Sequence, residues 1–197
     1  MRARSAASVM IAVLAVAACR DLPTPIADSA LPSAEISDGA HSNGNPYFYF
    51  LTPMVSNPAS GVNVTGLSPV VDICAWDGAV CTANLAHFTT DLATTTTSQP
   101  GNSETVREGD DGYIVNWHTA DFDLTVGGVY RVCVRAGGMA LGYSDVNVVD
   151  SGKDLKNVNT GEYVALLDDR TLPIKFRIQD GALGVTTSAS CSSSQPE

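Results

Sequence analysis

The sequence LTVGGVYRVCV occupies residues 124–134 and contains the clearest strand of the chain. Tyr130, Val132 and Val134 recur at every second position, which is the spacing of side chains on one face of a β-strand. The strand stops at Gly137-Gly138, where two glycines indicate a turn. This segment therefore predicts a strand with its apolar face against a core.

Similar short segments recur along the chain. They are rich in β-branched and aromatic residues, they lie between turn residues, and none has the 3.6-residue period of a helix. The connections are too short for crossover helices, so we expect an all-β, antiparallel β-sandwich of about seven to nine strands over residues 46–180. A jelly roll or a partly open barrel is the competing architecture. The expected strands are residues 47–51, 70–74, 113–117, 130–134, 143–149, 163–167 and 174–178.

Leu124 and Tyr130 have the spacing of a known structural motif. The segment resembles the tyrosine corner of immunoglobulin and fibronectin type III domains, in which a Leu precedes the Tyr by six residues. The resemblance implies an immunoglobulin-like sandwich, a Tyr130 hydroxyl bonded back to the backbone, and Trp117 as a core tryptophan. Residues 157–166 and 170–178 are also similar to segments of uncharacterised exported bacterial proteins with immunoglobulin-like modules, a likeness that implies no activity.

The amino terminus has the pattern of an export signal. Arg2 and Arg4 form a basic start, and an almost wholly apolar stretch follows over residues 6–16. This stretch is too short to span a hydrocarbon core of about 30 Å, so a cleaved signal fits better than a permanent anchor. We expect the signal to comprise residues 1–18.

Val16-Ala17-Ala18-Cys19 closes the apolar stretch and resembles a bacterial lipobox. The resemblance implies that the mature chain begins at Cys19, carries acyl groups there and is anchored to a membrane outside the cytoplasm. Arg20 follows in place of an acidic residue, which by analogy with lipoprotein sorting favours the outer membrane; the periplasmic and the cell-surface face both remain open. An ordinary secretory signal is the alternative.

Both ends of the mature chain differ in composition from its centre. Residues 19–45 are rich in Pro, Ser, Ala, Asp and Gly and predict a flexible tether, which would hold the domain roughly 25–30 Å from the lipid. Residues 181–197 end in a Ser-rich stretch and predict a disordered tail.

The cysteines indicate an oxidising compartment. Asp77-Gly78 lies midway between Cys74 and Cys81 and predicts a hairpin in which the two cysteines are directly opposite each other. Their Cα atoms would then be about 5.5 Å apart, within reach of a disulfide worth roughly 2–3 kcal/mol. Cys133 and Cys191 could also pair, but a mobile tail need not approach Cys133, so we expect no bond there.

Net charge limits the partners. The chain has 11 Lys and Arg against 21 Asp and Glu, a formal net charge of −10. Such a surface repels nucleic acid and anionic headgroups, so the lipid and not the domain is expected to provide membrane attachment.

Motifs for chemistry are scarce. The sequence has no H-E-x-x-H, C-x-x-C, complete EF-hand loop or G-x-S-x-G, so we predict no metal, no cofactor and no enzyme. Calcium binding stays open, because Glu108, Asp110 and Asp111 precede one strand and Asp121 and Asp123 follow it. These would be two separate clusters about 30 Å apart rather than one site.

Two functions compete at this point. The first is a noncatalytic envelope lipoprotein whose sandwich is an adhesion or binding module for a protein or glycan, or a spacer. The alternative is an envelope-anchored hydrolase or carbohydrate-active enzyme that uses His118 with Asp121 and Asp123 as acid and base. The first is favoured because fold alone specifies no reaction and the sequence contains no clear signature of a nucleophile, a metal site or a cofactor site.

Overall fold

The computed structural model describes residues 35–98, 104–150, 164–186 and 191. The predicted signal peptide (residues 1–18), Cys19, tether residues 20–34 and most of the predicted tail lie outside these residues. The described part contains eleven strands and two short 3-10 turns, Thr119–Asp121 and Ala182–Gly184. The strands are β1 Ile36–Ser37, β2 Phe48–Phe50, β3 Val70–Trp76, β4 Cys81–Phe88, β5 Thr96–Thr97, β6 Arg107–Gly109, β7 Gly112–His118, β8 Val129–Ala136, β9 Met139–Val149, β10 Val164–Leu167 and β11 Thr171–Ile178.

Two sheets pack together as a β-sandwich, which confirms the predicted fold class. The large sheet has the order β1-β9-β8-β3-β4-β5, and β10 also pairs with β9. The small sheet has the order β2-β11-β7-β6. Neighbours are antiparallel except that β10 runs parallel to β9, alongside residues 146–149. Four of the eleven strands have no counterpart among the seven expected ranges: the short edge strands β1, β5 and β6, and the eight-residue β4.

Alternating side chains fill the space between the sheets. The strand of the opening segment directs Tyr130, Val132 and Val134 inward, as its period of two predicted. The small sheet contributes mainly aromatic rings, and Trp117 is fully buried among them, in edge contact with Phe122 and Tyr130. The apolar layer between the sheets thus determines which face of each strand points away from the core.

The tyrosine corner has the predicted hydrogen bond. The Tyr130 hydroxyl accepts the backbone N–H of Thr125 at 2.8 Å, and Leu124 packs against the core. It lies between β7 of the small sheet and β8 of the large one. The chain therefore crosses between the sheets at this corner.

The order of the strands along the chain was not foreseen. In the small sheet the last described strand along the chain, β11, lies between β2 and β7. A sequence pattern gives strands but not which of them become neighbours, so this could not be predicted.

The predicted tether extends too far into the chain. Ile36 and Ser37 form β1 on the edge of the large sheet, paired with Ser144 and Tyr143. The turn that follows is fixed by Asp38, whose carboxylate accepts the backbone N–H groups of Ala40, His41 and Phe50. The polar composition of this segment predicted a flexible chain, but a single carboxylate that accepts several backbone N–H groups can order a whole turn.

The hairpin after β3 also differs from its predicted register. Trp76, and not Cys74, lies opposite Cys81, and Cys74 faces Asn84. The Asp77 carboxylate accepts the N–H groups of Ala79 and Val80, each at 2.8 Å, which lengthens the loop beyond two residues. The disulfide between Cys74 and Cys81 is nevertheless present, as predicted, with the Cα atoms 5.5 Å apart.

Candidate functional site

A buried arginine lies on the outer face of the large sheet. Arg131 follows the core residue Tyr130 along β8 and therefore points away from the core. Its guanidinium lies between two aromatic rings, 3.6 Å from the centre of Trp76 and 3.8 Å from that of Tyr143. The pairing of β8 with β9 places Asp145 directly opposite. We call Trp76, Arg131, Tyr143 and Asp145 the arginine cage.

The arginine cage is held together by a two-pronged ion pair. Arg131 Nε donates to Asp145 Oδ1 at 2.7 Å, and Nη2 donates to Oδ2 at 2.8 Å. Arg131 is 4% exposed and Asp145 is 0% exposed. Burial raises the pKa of Asp145, and the bonds from Arg131 oppose that effect. Removing one partner would strand a buried charge, so the pair functions as a unit.

The arginine cage fastens the start of the domain. The backbone N–H of Glu35 donates to Asp145 Oδ2 at 3.0 Å, and the Tyr143 hydroxyl donates to Glu35 Oε2 at 2.6 Å. A hydrogen bond from the Ser42 side chain, together with that from Tyr143, lowers the pKa of Glu35. The chain that arrives from the amino terminus is therefore clamped where β1 begins.

A second fastening holds the carboxyl terminus. Cys133 forms a disulfide with Cys191, so our expectation that these residues stay unpaired was wrong. The tail is held there by a further contact, since an Arg135 nitrogen donates to the carbonyl of Cys191 at 2.9 Å. The 3-10 turn with the buried Ala182 also lies within the predicted disordered tail. The serine-rich composition of this stretch gave no indication of these contacts.

Next to the second disulfide is a polar groove of about 430 Å³ across β3, β4 and β5. Asp72, His87 and Thr96 form a row across these three strands, because each lies directly opposite the next. His87 Nδ1 is 2.6 Å from Asp72 Oδ1, and Arg135 Nε is 3.3 Å from Asp72 Oδ2. Asn84 and Ser98 also line the groove, which we call the β3–β5 groove.

The acidic cluster singled out in the sequence has a different character. Glu108 accepts the backbone N–H of Gly66, while Asp110 and Asp111 are exposed in the turn between β6 and β7. These two line an open groove of about 450 Å³ together with Lys175 and Arg177. Arg177 is engaged through hydrogen bonds to the carbonyls of Asp111 and Ala59. The result is a solvated turn of mixed charge.

The two acidic clusters are not brought together. Asp121 and Asp123 are exposed beyond the far end of β7, so the seven residues of that strand separate them from Asp110 and Asp111. Within the described ranges, no group of three or more His, Cys, Asp or Glu side chains is arranged to hold a metal ion.

His118 forms no hydrogen bond or ion pair with Asp121 or Asp123, the residues that the hydrolase hypothesis combined with it. Its Nδ1 is 2.8 Å from the Thr171 hydroxyl, and its Nε2 is 3.0 Å from Glu104 Oε1. Although burial opposes it, bonds from His118, Arg107 and Asn116 hold the pKa of Glu104 below its usual value. Both ring nitrogens of His118 are thus occupied by this network.

Comparison with protein-family models, with curated proteins and with solved structures finds no match for this chain. Over the residues that the structure describes, no helix has the length and apolar character needed to cross a membrane.

Proposed function

We propose that this chain is a noncatalytic lipoprotein of the bacterial envelope, anchored by acyl groups on Cys19. Its β-sandwich would act outside the cytoplasm as an adhesion or ligand-binding module, or as a spacer, most simply on the outer membrane. The observation that carries the proposal is the use of the cysteines: the two disulfides engage four of the five in the sequence. No cysteine then remains with which Cys19 could pair inside the chain.

Two features support an address outside the cytoplasm. Disulfides form and persist in oxidising compartments and are rare where thiols are kept reduced. Cys19 in turn follows directly on small residues and an apolar stretch, the pattern of a processed export signal. The net charge of −10 gives the sandwich little attraction for anionic headgroups, which favours attachment through lipid.

The contacts of His118 differ from those that the hydrolase alternative expected. His118 is bonded to Thr171 and Glu104 and not to Asp121 or Asp123, so the expected acid–base group is not formed. The hydrolase alternative keeps a weaker basis in the Asp72–His87 pair. Glycoside hydrolysis ordinarily requires two carboxylates across the scissile bond, and among the described residues that line the β3–β5 groove only Asp72 is a carboxylate.

Metabolic labelling with an alkyne fatty acid tests the anchor. In a two-membrane bacterium, we expect the wild-type chain to incorporate the label and to fractionate with the outer membrane, and Cys19→Ser to do neither. The double variant Cys133→Ala/Cys191→Ala is the matched control, since it also removes cysteines but should keep the label. An unlabelled wild-type chain released as a soluble protein would favour the ordinary secretory signal and contradict the proposal.

The residue after the acylated cysteine provides a test of sorting. If Arg20 permits transfer to the outer membrane, Arg20→Asp is expected to keep the label and to accumulate in the inner membrane. Equal distributions of both proteins in density-gradient fractions would contradict the outer-membrane part of the proposal and leave the acylation untouched.

A further inference from the structure

The β3–β5 groove has the features of a preorganised binding site. It is concave, with a volume of about 430 Å³, and its floor is formed by neighbouring strands rather than by a loop. Asp72 is held from two sides, by His87 at 2.6 Å and by Arg135 at 3.3 Å. A site built on strands and fixed by such contacts needs little reorganisation when a ligand arrives.

The groove leaves hydrogen-bonding groups for a ligand. The opposite charges of Asp72 and Arg135 largely neutralise each other within the protein. Among the described residues, His87 Nε2 has no partner, since only Nδ1 is bonded. Asn84 and Thr96 are exposed beside it and carry an amide and a hydroxyl that can both donate and accept.

These properties select a class of ligand. A net charge of −10 disfavours anionic molecules, and no unpaired cation is supplied by the Asp72–Arg135 pair to attract them. The amide and hydroxyl groups match a ligand whose own groups donate and accept, as sugar hydroxyls do.

We propose that the β3–β5 groove binds a neutral oligosaccharide, with His87, Asn84 and Thr96 as its hydrogen-bonding residues. This inference rests on the proposed function, in which a glycan is one of the ligands of the module, and it names the site and the ligand class. The groove beside Asp110 and Asp111 is the less suitable of the two, because these two carboxylates are exposed to water.

The test is a glycan array probed with the full-length lipoprotein in detergent. The array carries neutral gluco-, manno- and galacto-oligosaccharides beside uronic-acid-containing ones, and the strongest neutral ligand is then titrated by calorimetry. We expect neutral glycans to be preferred, and His87→Ala to weaken binding at least tenfold. Asn84→Ala, at an exposed position, should also weaken it with an unchanged melting temperature.

His118→Ala is the matched control, because the side chains of His87 and His118 are both 39% exposed and both face a carboxylate. Its affinity should stay within twofold of wild type. Binding unchanged in both groove variants would place the site elsewhere, and preference for acidic glycans or no neutral ligand on the array would overturn the inference. Fatty-acid labelling at Cys19 tests the proposed lipoprotein function independently of glycan binding. Cleavage of a bound glycan would contradict only the noncatalytic part of that function.

Discussion

Two groups of charged residues in this chain have opposite environments. The acidic turn at Asp110 and Asp111 is conspicuous in the sequence and exposed in the structure. Arg131 and Asp145 are inconspicuous in the sequence, fourteen residues apart, and almost fully buried. The turn carries its charges in water, where they interact weakly, whereas the arginine cage holds the guanidinium of Arg131 between two aromatic rings and pairs it with a buried carboxylate.

This difference shows where charge matters for the stability of the sandwich. A run of carboxylates in a sequence usually forms a solvated surface. Burying an ion pair that is formed by cross-strand register costs desolvation free energy, and each charge then depends on the other. The Arg131–Asp145 pair therefore holds β3, β8 and β9 together with the segment at Glu35.

The sharpest test of this comparison removes one carboxylate from each region. Asp145→Ala leaves Arg131 buried without its partner, and we expect a loss of about 3–5 kcal/mol in the free energy of unfolding. Asp110→Ala removes an exposed charge and should change that free energy by no more than about 0.5 kcal/mol. Urea unfolding followed by fluorescence measures both, and equal effects would remove the distinction between the two regions.

The two disulfides extend the comparison to covalent links on the same face. Cys133–Cys191 joins residues 58 apart, and Cys74–Cys81 joins residues 7 apart. In the chain-entropy model the first is worth about 4 kcal/mol and the second about 2 kcal/mol. Pairwise replacement by Ala should reproduce this order in unfolding midpoints. The reverse order would mean that the tail contributes little to holding the fold.

The tyrosine corner tests a partly buried polar contact between uncharged groups. Tyr130→Phe leaves the N–H of Thr125 without its acceptor, and we expect a loss of about 1–2 kcal/mol. Tyr47→Phe is the control, because Tyr47 is exposed. If the Tyr130 variant unfolds at the same urea concentration as the control, the hydroxyl has no structural role.

The hydrogen bond between Tyr143 and Glu35 is expected to make a smaller contribution to stability, and this contribution depends on pH. The folded pKa of Glu35 lies below the ordinary value of 4.5, so its bond with Tyr143 stabilises the fold above about pH 4.5 and less as pH falls through the folded pKa. Tyr143→Phe should therefore cost about 1 kcal/mol at pH 7, because Glu35 is partly exposed. Unfolding curves at descending pH should converge; a constant gap would contradict the linkage.

How much of this was predictable depends on the range of the interaction. Alternation along β8 predicted its inward residues, and the resemblance of the Leu124–Tyr130 spacing to a tyrosine corner implied the hydroxyl bond of Tyr130. The short hairpin from Cys74 to Cys81 predicted that disulfide. These features depend on residues close in sequence. Pairing of Arg131 with Asp145 depends on the β8–β9 register, which a bulge between Val134 and Arg135 shifts, and no local pattern encodes that.

The same reasoning explains the errors. Ser37 and Asp38 look like linker residues, but both are buried beside β9 and β2. Cys191 lies in a polar stretch and gave no local sign of a partner fifty-eight residues away. A polar residue after the start of a β-branched strand, such as Arg131 in β8, is the one feature that could have directed attention to the outer face.

The most direct test of the account is peptide mapping, by mass spectrometry without reductant, of the protein isolated from its own membranes. We expect an amino-terminal peptide that begins at acylated Cys19, together with linked peptides for Cys74–Cys81 and Cys133–Cys191. An unprocessed chain that begins at Met1 and carries reduced thiols would contradict it.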